Sequence, residues 1–254
     1  MTRYYLPAGM HYTTLEKRHQ FYTAEFNVQK AAGWFGQNLS GVRFAVIMGR
    51  HTKIFLEKYR EDAATTILIK QYKDLDDLRG QILGFLPEAV YYDRNIYNSD
   101  DQITGQELAF DLDSENVTCP IHGTLADKMA RRQGLSFCEL ELDIVQKETV
   151  ELYEFLGHRF SNLRVVYSGR GFHIHVFDKN AYTLSTQERR ALAREVKDAG
   201  FHIDEWITSG ECRLIRLPFS LNGLVSRVVL PLRKKDLEIF DAIHDKRCLP
   251  GFLG

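Results

Sequence analysis

The segment FDLDSEN, residues 110–116, sets two carboxylates two positions apart, Asp111 and Asp113. On a strand such residues share a face, so both acids project together and repel one another. A hard divalent cation that prefers oxygen ligands, Mg2+ or Mn2+, relieves that repulsion. Solvated acids at a strand end carry the same D-x-D pattern, so the pair alone does not decide between a metal site and a surface. A second segment, VVYSGRGFHIHVF (165–177), holds Ser168 and Arg170 in a glycine-rich turn. Glycine lets a phosphate approach backbone N–H groups, and a guanidinium adds charge. His173 and His175 follow on one face of the next strand, where an imidazole either donates to a phosphate oxygen or is simply packed. The third segment, IDEWITSGECRLIRLPFSLNG (203–223), carries Asp204, Arg213 and Arg216. Arginines in an otherwise apolar strand need anions; a nucleotide phosphate is one and Glu211 is another.

These residues need elements to position them. Residues 107–113 alternate as a strand, and 163–167 (LRVVY) with 173–177 (HIHVF) flank the SGRGF turn as a hairpin. Residues 143–160 read as a helix with Ile144, Val145, Val150, Leu152, Tyr153 and Leu156 available to a buried face. Residues 185–200 open on STQE, a capping box, and close on glycine. Asp74 starts a short helix over 74–85 that Pro87 stops. Residues 10–40 read as helical, and 42–48, 65–69, 213–217 and 227–232 as strands; 117–133 reads as an irregular polar insertion. The pattern predicts an α+β protein.

With 254 residues, 44% of them hydrophobic, the chain can bury a core, and no repeat or linker divides it, so a single domain over 1–254 is expected. A net charge of −1 does not mark a nucleic-acid binder, so any basic groove must arise from local clustering. Cysteines at 119, 138, 212 and 248 form no compact disulfide pattern, and neither a signal peptide nor a membrane span is visible. The expected setting is intracellular, cytoplasm or nucleoid, without a membrane.

Together and in order, these segments resemble the small catalytic subunit of archaeal and eukaryotic primases, within the archaeo-eukaryotic primase superfamily. FDLD resembles the family's hydrophobic-D-x-D motif, and SGRGFHIHV is similar to its SGRRGxHxxV motif. RLIRLPFSLN, beginning nine positions after Asp204, resembles its terminal RLIRxPxSLH. REDAATTILIKQYKDLDDLRGQIL (60–83) is a weaker match that places a basic residue at Lys70, and the likeness runs from about Arg60 to Leu232.

The resemblance implies the primase catalytic fold, with mixed or antiparallel sheets flanked by helices. It implies a DNA primase that makes short primers from nucleoside triphosphates on single-stranded DNA, with a primase large subunit as partner. Asp111, Asp113 and Asp204 would hold Mg2+ or Mn2+. Ser168, Arg170, His173 and Arg216 would hold the triphosphate, with Lys70 and Asn222 as further contacts. In an insertion at about 117–140, Cys119, His122 and Cys138 would be ligands of a structural Zn2+, the fourth being open between Glu141 and Asp143.

Three features depart from the family pattern. Asn222 replaces a histidine, the glycine turn is one residue shorter, and the stretch between His175 and Asp204 has room for only one helix. Rival readings are a primase-like polymerase that extends existing ends in repair or plasmid replication, a non-catalytic nucleic-acid-binding subunit, and a metal-dependent phosphoesterase.

Overall fold

The computed structural model describes residues 4–36, 39 and 41–253. In chain order the first elements are α1 (Leu15–Ala24), α2 (Val28–Trp34), β1 (Phe44–Ile47), β2 (Ile67–Ile69), α3 (Leu75–Phe85), β3 (Ala89–Asp93), β4 (Asn95–Tyr97) and β5 (Ile103–Gln106). The central ones are β6 (Leu108–Asp113), α4 (Leu125–Ala130), α5 (Glu139–Gly157), β7 (Leu163–Tyr167), β8 (Gly171–Val176), α6 (Thr186–Asp198) and α7 (Glu205–Thr208). β9 (Leu214–Arg216), β10 (Leu221–Asn222), β11 (Arg227–Val228), β12 (Leu230–Leu232) and α8 (Lys234–Leu237) follow. This is a mixed α+β fold in which β1–β2, β1–β3, β3–β9, β6–β8, β7–β8 and β10–β11 pair antiparallel. None of the described helices is long and apolar enough to cross a membrane.

The chain forms two compact units, each assembled from discontinuous segments. One contains the segment up to Met10, Gly105–Arg213 and Pro231–Ile243. Its sheet has the strand order β12-β7-β8-β6. Leu108, Phe110 and Leu112 of β6 are fully buried, as are Phe172, Ile174 and Val176 of β8, and they share one face. α5 packs on these two strands and buries Leu142, Val145, Thr149, Leu152 and Leu156, a spacing of three and four that makes one helical stripe. Each such aliphatic side chain contributes about 1.5–3 kcal/mol on burial. The apolar face therefore fixes the register, and the register decides which residues line the opposite face. There Asp111 stands opposite His173 and Asp113 opposite Gly171. The Gly171 position cannot take a side chain, because a Cβ would lie 2.0 Å from the carbonyl oxygen of Leu112.

The other unit contains His11–Thr104, Leu214–Leu230 and the segment from His244. Its sheet runs β2-β1-β3-β9, with α1 and α2 both packed on α3. Arg18 is fully buried, yet its guanidinium donates to the carbonyls of Met48 (2.8 Å) and Ile54 (2.9 Å) and to Thr52 Oγ1 (2.9 Å). Glu88, equally buried, accepts from the amide and hydroxyl of Thr52 at 2.9 and 2.8 Å. Such a charge is stable inside because its two terminal nitrogens are bonded.

The expected helix over 10–40 is two helices. Asn27 Oδ1 caps α2 by accepting from the Lys30 amide at 2.8 Å, so the chain reorients between Ala24 and Val28. Residues 37, 38 and 40 of that expectation lie outside the described residues. The expected strand over 227–232 is likewise divided, into β11 and β12.

Candidate active site and cysteine cluster

The hairpin that carries the glycine turn is closed by the Ser168 amide, which donates to the Gly171 carbonyl at 2.9 Å. Gly169 takes φ +102°, which a side chain would oppose. The turn sets Arg170 beside the end of β6. There its buried guanidinium pairs with Glu115 and lies 3.9 Å from an Asp113 carboxylate oxygen. His173 Nε2 lies 3.4 Å from Asp111 Oδ1. Asp204 arrives from 91 residues beyond Asp113 in sequence, and its backbone N–H donates to the Asp111 carbonyl at 2.8 Å. Its side chain caps α7, accepting from the Trp206 amide at 2.9 Å. Asp111, Asp113, Asp204, Ser168, Arg170 and His173 thus all belong to one unit.

Asp204 senses the crowding. Burial pushes its carboxyl above the ordinary aspartate range, and the negative charge of Asp113 pushes it further. Three carboxylates are a hard oxygen donor set, and mutual repulsion is what a divalent cation removes, so these residues fit Mg2+ or Mn2+. A raised native pKa means that ionising Asp204 costs stability in the metal-free protein: its favourable contribution is present in acid and lost as pH rises through that pKa. Mn2+ is therefore expected to raise the melting temperature at neutral pH by about 2–4 °C, the equivalent of roughly 1 kcal/mol. The increment should shrink on acidification as Asp204 takes up its proton. Asp204→Asn, which retains an acceptor for the Trp206 amide, should raise the metal-free melting temperature and lose the Mn2+ increment. A scanning-calorimetry series with and without Mn2+ checks both; a pH-independent increment would contradict the assignment.

The remaining expected nucleotide contacts lie in the other unit. Lys70 follows β2 and is exposed. It lines a groove of about 690 Å³ together with Arg43, Tyr72, Lys73 and Tyr97. Arg216 sits on β9 with its guanidinium 5.1 Å from the centre of the Tyr91 ring. Asn222 is buried, and its side-chain carbonyl accepts from the Leu224 amide at 3.2 Å, a bond internal to its own loop.

The polar insertion contains a short helix, α4, and a knuckle in which Cys119 and Gly123 exchange backbone bonds of 3.0 and 2.8 Å. Cys119, His122, Cys138 and Glu141 bring one ligand atom each within 4.8 Å of all the others. Tetrahedral zinc with Zn–S of about 2.3 Å places two thiolates about 3.8 Å apart, and a thiolate and an imidazole nitrogen roughly 3.6 Å apart. The corresponding separations are 3.9 Å for Cys119 to Cys138 and 3.4 Å for Cys119 to His122. Of the two fourth-ligand candidates, Glu141 is buried beside the sulfurs and Asp143 is exposed. Lys128 is also fully buried, and its Nζ donates to Glu141 Oε1 at 2.6 Å. Two thiolates, one carboxylate, Zn2+ and one ammonium sum to zero charge, the balance a buried cluster requires. Burial pushes the Cys138 thiol up, and the charges of Glu141 and Cys119 add to the shift.

Several partners had no reading in the sequence. Glu115 stands within FDLDSEN, two positions after Asp113, and only the folded turn reveals its bond to Arg170. Glu107 binds the fully buried His175, with Oε1 2.6 Å from Nδ1. Period-two alternation back from Asp111 through Ala109 was the available signal for Glu107.

The fold has a solved counterpart. The polymerase domain of Mycobacterium tuberculosis ligase D, determined in complex with DNA, aligns with a TM-score of 0.52 at 15% identity, over 98% of this chain and 91% of that one. This chain therefore has the fold of that polymerase domain. The family model of the DNA primase small subunit matches residues 110–199. An uncharacterized DNA primase small subunit-like protein from Archaeoglobus fulgidus is 45% identical over 268 residues, covering 99% of this chain and 94% of that protein. The DNA primase small subunit PriS of Pyrobaculum calidifontis is 29% identical, over 66% of this chain and 67% of its own length. The chain belongs to the DNA primase small-subunit family.

Proposed function

We propose that this protein is a primase-type nucleotidyltransferase that joins nucleoside triphosphates into short primers on a single-stranded DNA template. The observation that carries this reading is the convergence of Asp111, Asp113 and Asp204 on the face of β6 that meets His173 and the Arg170 turn. When bound, two divalent cations held by the three aspartates would supply charge neutralisation for the attacking 3′-hydroxyl and the leaving pyrophosphate. The chain's own part is positioning. β6 holds two carboxylates on a rigid strand, and the capped start of α7 fixes the third. His173, with Nε2 turned to Asp111, orients a carboxylate oxygen and can donate to a phosphate oxygen alongside it. Arg170 offsets the charge of Glu115 and Asp113 and so keeps the acid cluster from excluding an anionic substrate. Ser168 closes the turn that presents Arg170. Arg216, Lys70 and Asn222 are assigned to the triphosphate on the family motif.

Cys119, His122, Cys138 and Glu141 would hold a structural Zn2+ that ties the 117–138 segment to the start of α5. The protein would act inside the cell with a primase large subunit. The test is synthesis on an unprimed single-stranded homopolymer, with ribo- and deoxyribonucleotides and with Mg2+ and Mn2+ compared. Labelled oligonucleotide products are expected without a primer. Products confined to primed templates would assign the chain to end extension instead, and hydrolysis of a phosphodiester without template would overturn both.

A further inference from the structure

Asp204 caps a single helical turn, α7, whose second residue is Trp206. Ile207 and Thr208 supply the buried side of that turn, while Trp206 is 66% exposed. Holding so large an apolar surface in water has no packing purpose here. α6 lies against α7, and its Arg190 and Arg194, four residues apart, project from one face. With the indole, Ala193, Glu205 and Glu211 they line a shallow pocket of about 260 Å³. Both acids are already engaged: Glu211 with Arg190 at 2.6 Å, and Glu205 with Lys197. Arg194 makes no hydrogen bond or ion pair with any described residue. The pocket thus presents one indole face and one uncompensated guanidinium.

We propose that this pocket is a base-stacking subsite for single-stranded nucleic acid, in which Trp206 takes a base and Arg194 the adjoining phosphate. Every base has a π-face, so an exposed aromatic beside a cation holds a strand without reading its sequence. A protein partner is the less fitting occupant, because an interface core needs contiguous apolar area, and apart from the indole and Ala193 this lining is charged or polar. The location has a mechanical consequence. The Trp206 amide is bonded to the Asp204 carboxylate at 2.9 Å, so the residue that would take the base shares its helical turn with that carboxylate. The subsite rests on the template-directed reading and names where that reading places part of a strand.

The test titrates the full-length protein with an oligodeoxythymidylate, without metal or nucleotide, so that binding is read apart from catalysis. The chain has two tryptophans, and the other, Trp34, is 6% exposed; saturable quenching of indole fluorescence therefore reports on Trp206. Trp206→Leu should abolish the quenching and weaken binding of a fluorescein-labelled oligonucleotide about tenfold. Arg194→Gln should weaken it and lower the slope of log affinity against log salt by about 0.7, one single-strand phosphate contact. Circular dichroism verifies that both variants fold. Folded variants with wild-type affinity and salt slope would overturn the subsite, as would a Trp206→Leu protein that changes only in self-association. Oligonucleotide binding through Trp206 with no phosphodiester product from wild-type protein would uphold the subsite and defeat the polymerisation reading, so the two fail separately.

Discussion

Alanine at both Asp111 and Asp113 is expected to reduce nucleotide incorporation by at least about a thousandfold, the scale on which removing groups that stabilise transition-state charge acts. The protein should still fold. Both side chains lie on the face of β6 opposite Leu108, Phe110 and Leu112, whose burial holds the strand in place. They are only partly covered, at 15% and 29% exposure, so their loss opens no sealed cavity. Arg170 keeps Glu115 as its partner and the hairpin keeps its closing bond. Asp204 loses the neighbouring charge that helps raise its pKa. In metal-free buffer the double variant should therefore melt no lower than wild type, and the stabilisation by Mn2+ should vanish with the activity. This combination separates a metal site from a structural one: a merely structural pair would lower the melting temperature and leave residual turnover. A fully active double variant would sink the assignment. The measurements are incorporation of labelled nucleotide and calorimetric melting on the same preparations.

What could be read from the sequence was what local physics decides. β6, the β7–β8 hairpin and α3 were legible because alternation, a glycine turn and an aspartate cap are signals within about ten residues. α6 was legible in the same way, from Ser185 and Glu188 of its capping box. The break between α1 and α2 was missed because apolar spacing continued across it, and the Asn27 cap outweighed that periodicity. β3 follows Pro87 and owes its place to antiparallel pairing with β1 and β9, a long-range fact without a local mark. The assembly of each unit from discontinuous segments is of the same kind.

The site was legible unevenly for the same reason. Asp111, Asp113 and His173 share a face by strand periodicity alone. Asp204 has no such periodicity; the backbone bond that ties it to Asp111 joins residues on opposite sides of α5, β7, β8 and α6 in the chain. Its place among the candidate metal ligands rests on family likeness. Arg170 illustrates the opposite limit, since its residue type was noted while its partners Glu115 and Asp113 depend on the folded turn. Glu141 and Asp143 were indistinguishable in the sequence because both lie close to Cys138. Only the start of α5 at Glu139 turns Glu141 into the residue that folds back on its cap, accepting from the Cys138 amide at 2.8 Å, while Asp143 moves into solvent.

The cysteine cluster should have the second large effect. Purified protein is expected to carry one equivalent of zinc, and Cys138→Ser to carry none and to lose order in the 117–138 segment. Amide hydrogen exchange would then rise from Cys119 to Ser136 while β6 and β8 stay protected. The segment's own interior is thin: Lys128 and Glu141 are buried as an ion pair, which packs less favourably than carbon would. Without the cation the carboxylate keeps Lys128 and the Cys138 amide as partners, but the two thiols and the imidazole are joined only by weak sulfur contacts of 3.4 and 3.9 Å. The pH dependence follows from the raised Cys138 thiol. A thiol whose native pKa lies above its ordinary value stabilises the metal-free fold while it remains protonated, and that contribution is lost as pH rises through the shifted pKa. Zinc needs both thiolates, so binding must release two protons through the neutral range, and affinity should fall about a hundredfold for each pH unit of acidification. Competition against a chromophoric chelator measures that slope. A slope near zero, or full zinc content in the serine variant, would remove Cys138 from the ligand set. Glu141→Gln offers the finer discrimination. It retains an acceptor for the Cys138 amide but weakens the metal bond and leaves Lys128 without its counter-charge, so zinc affinity and local protection should fall together.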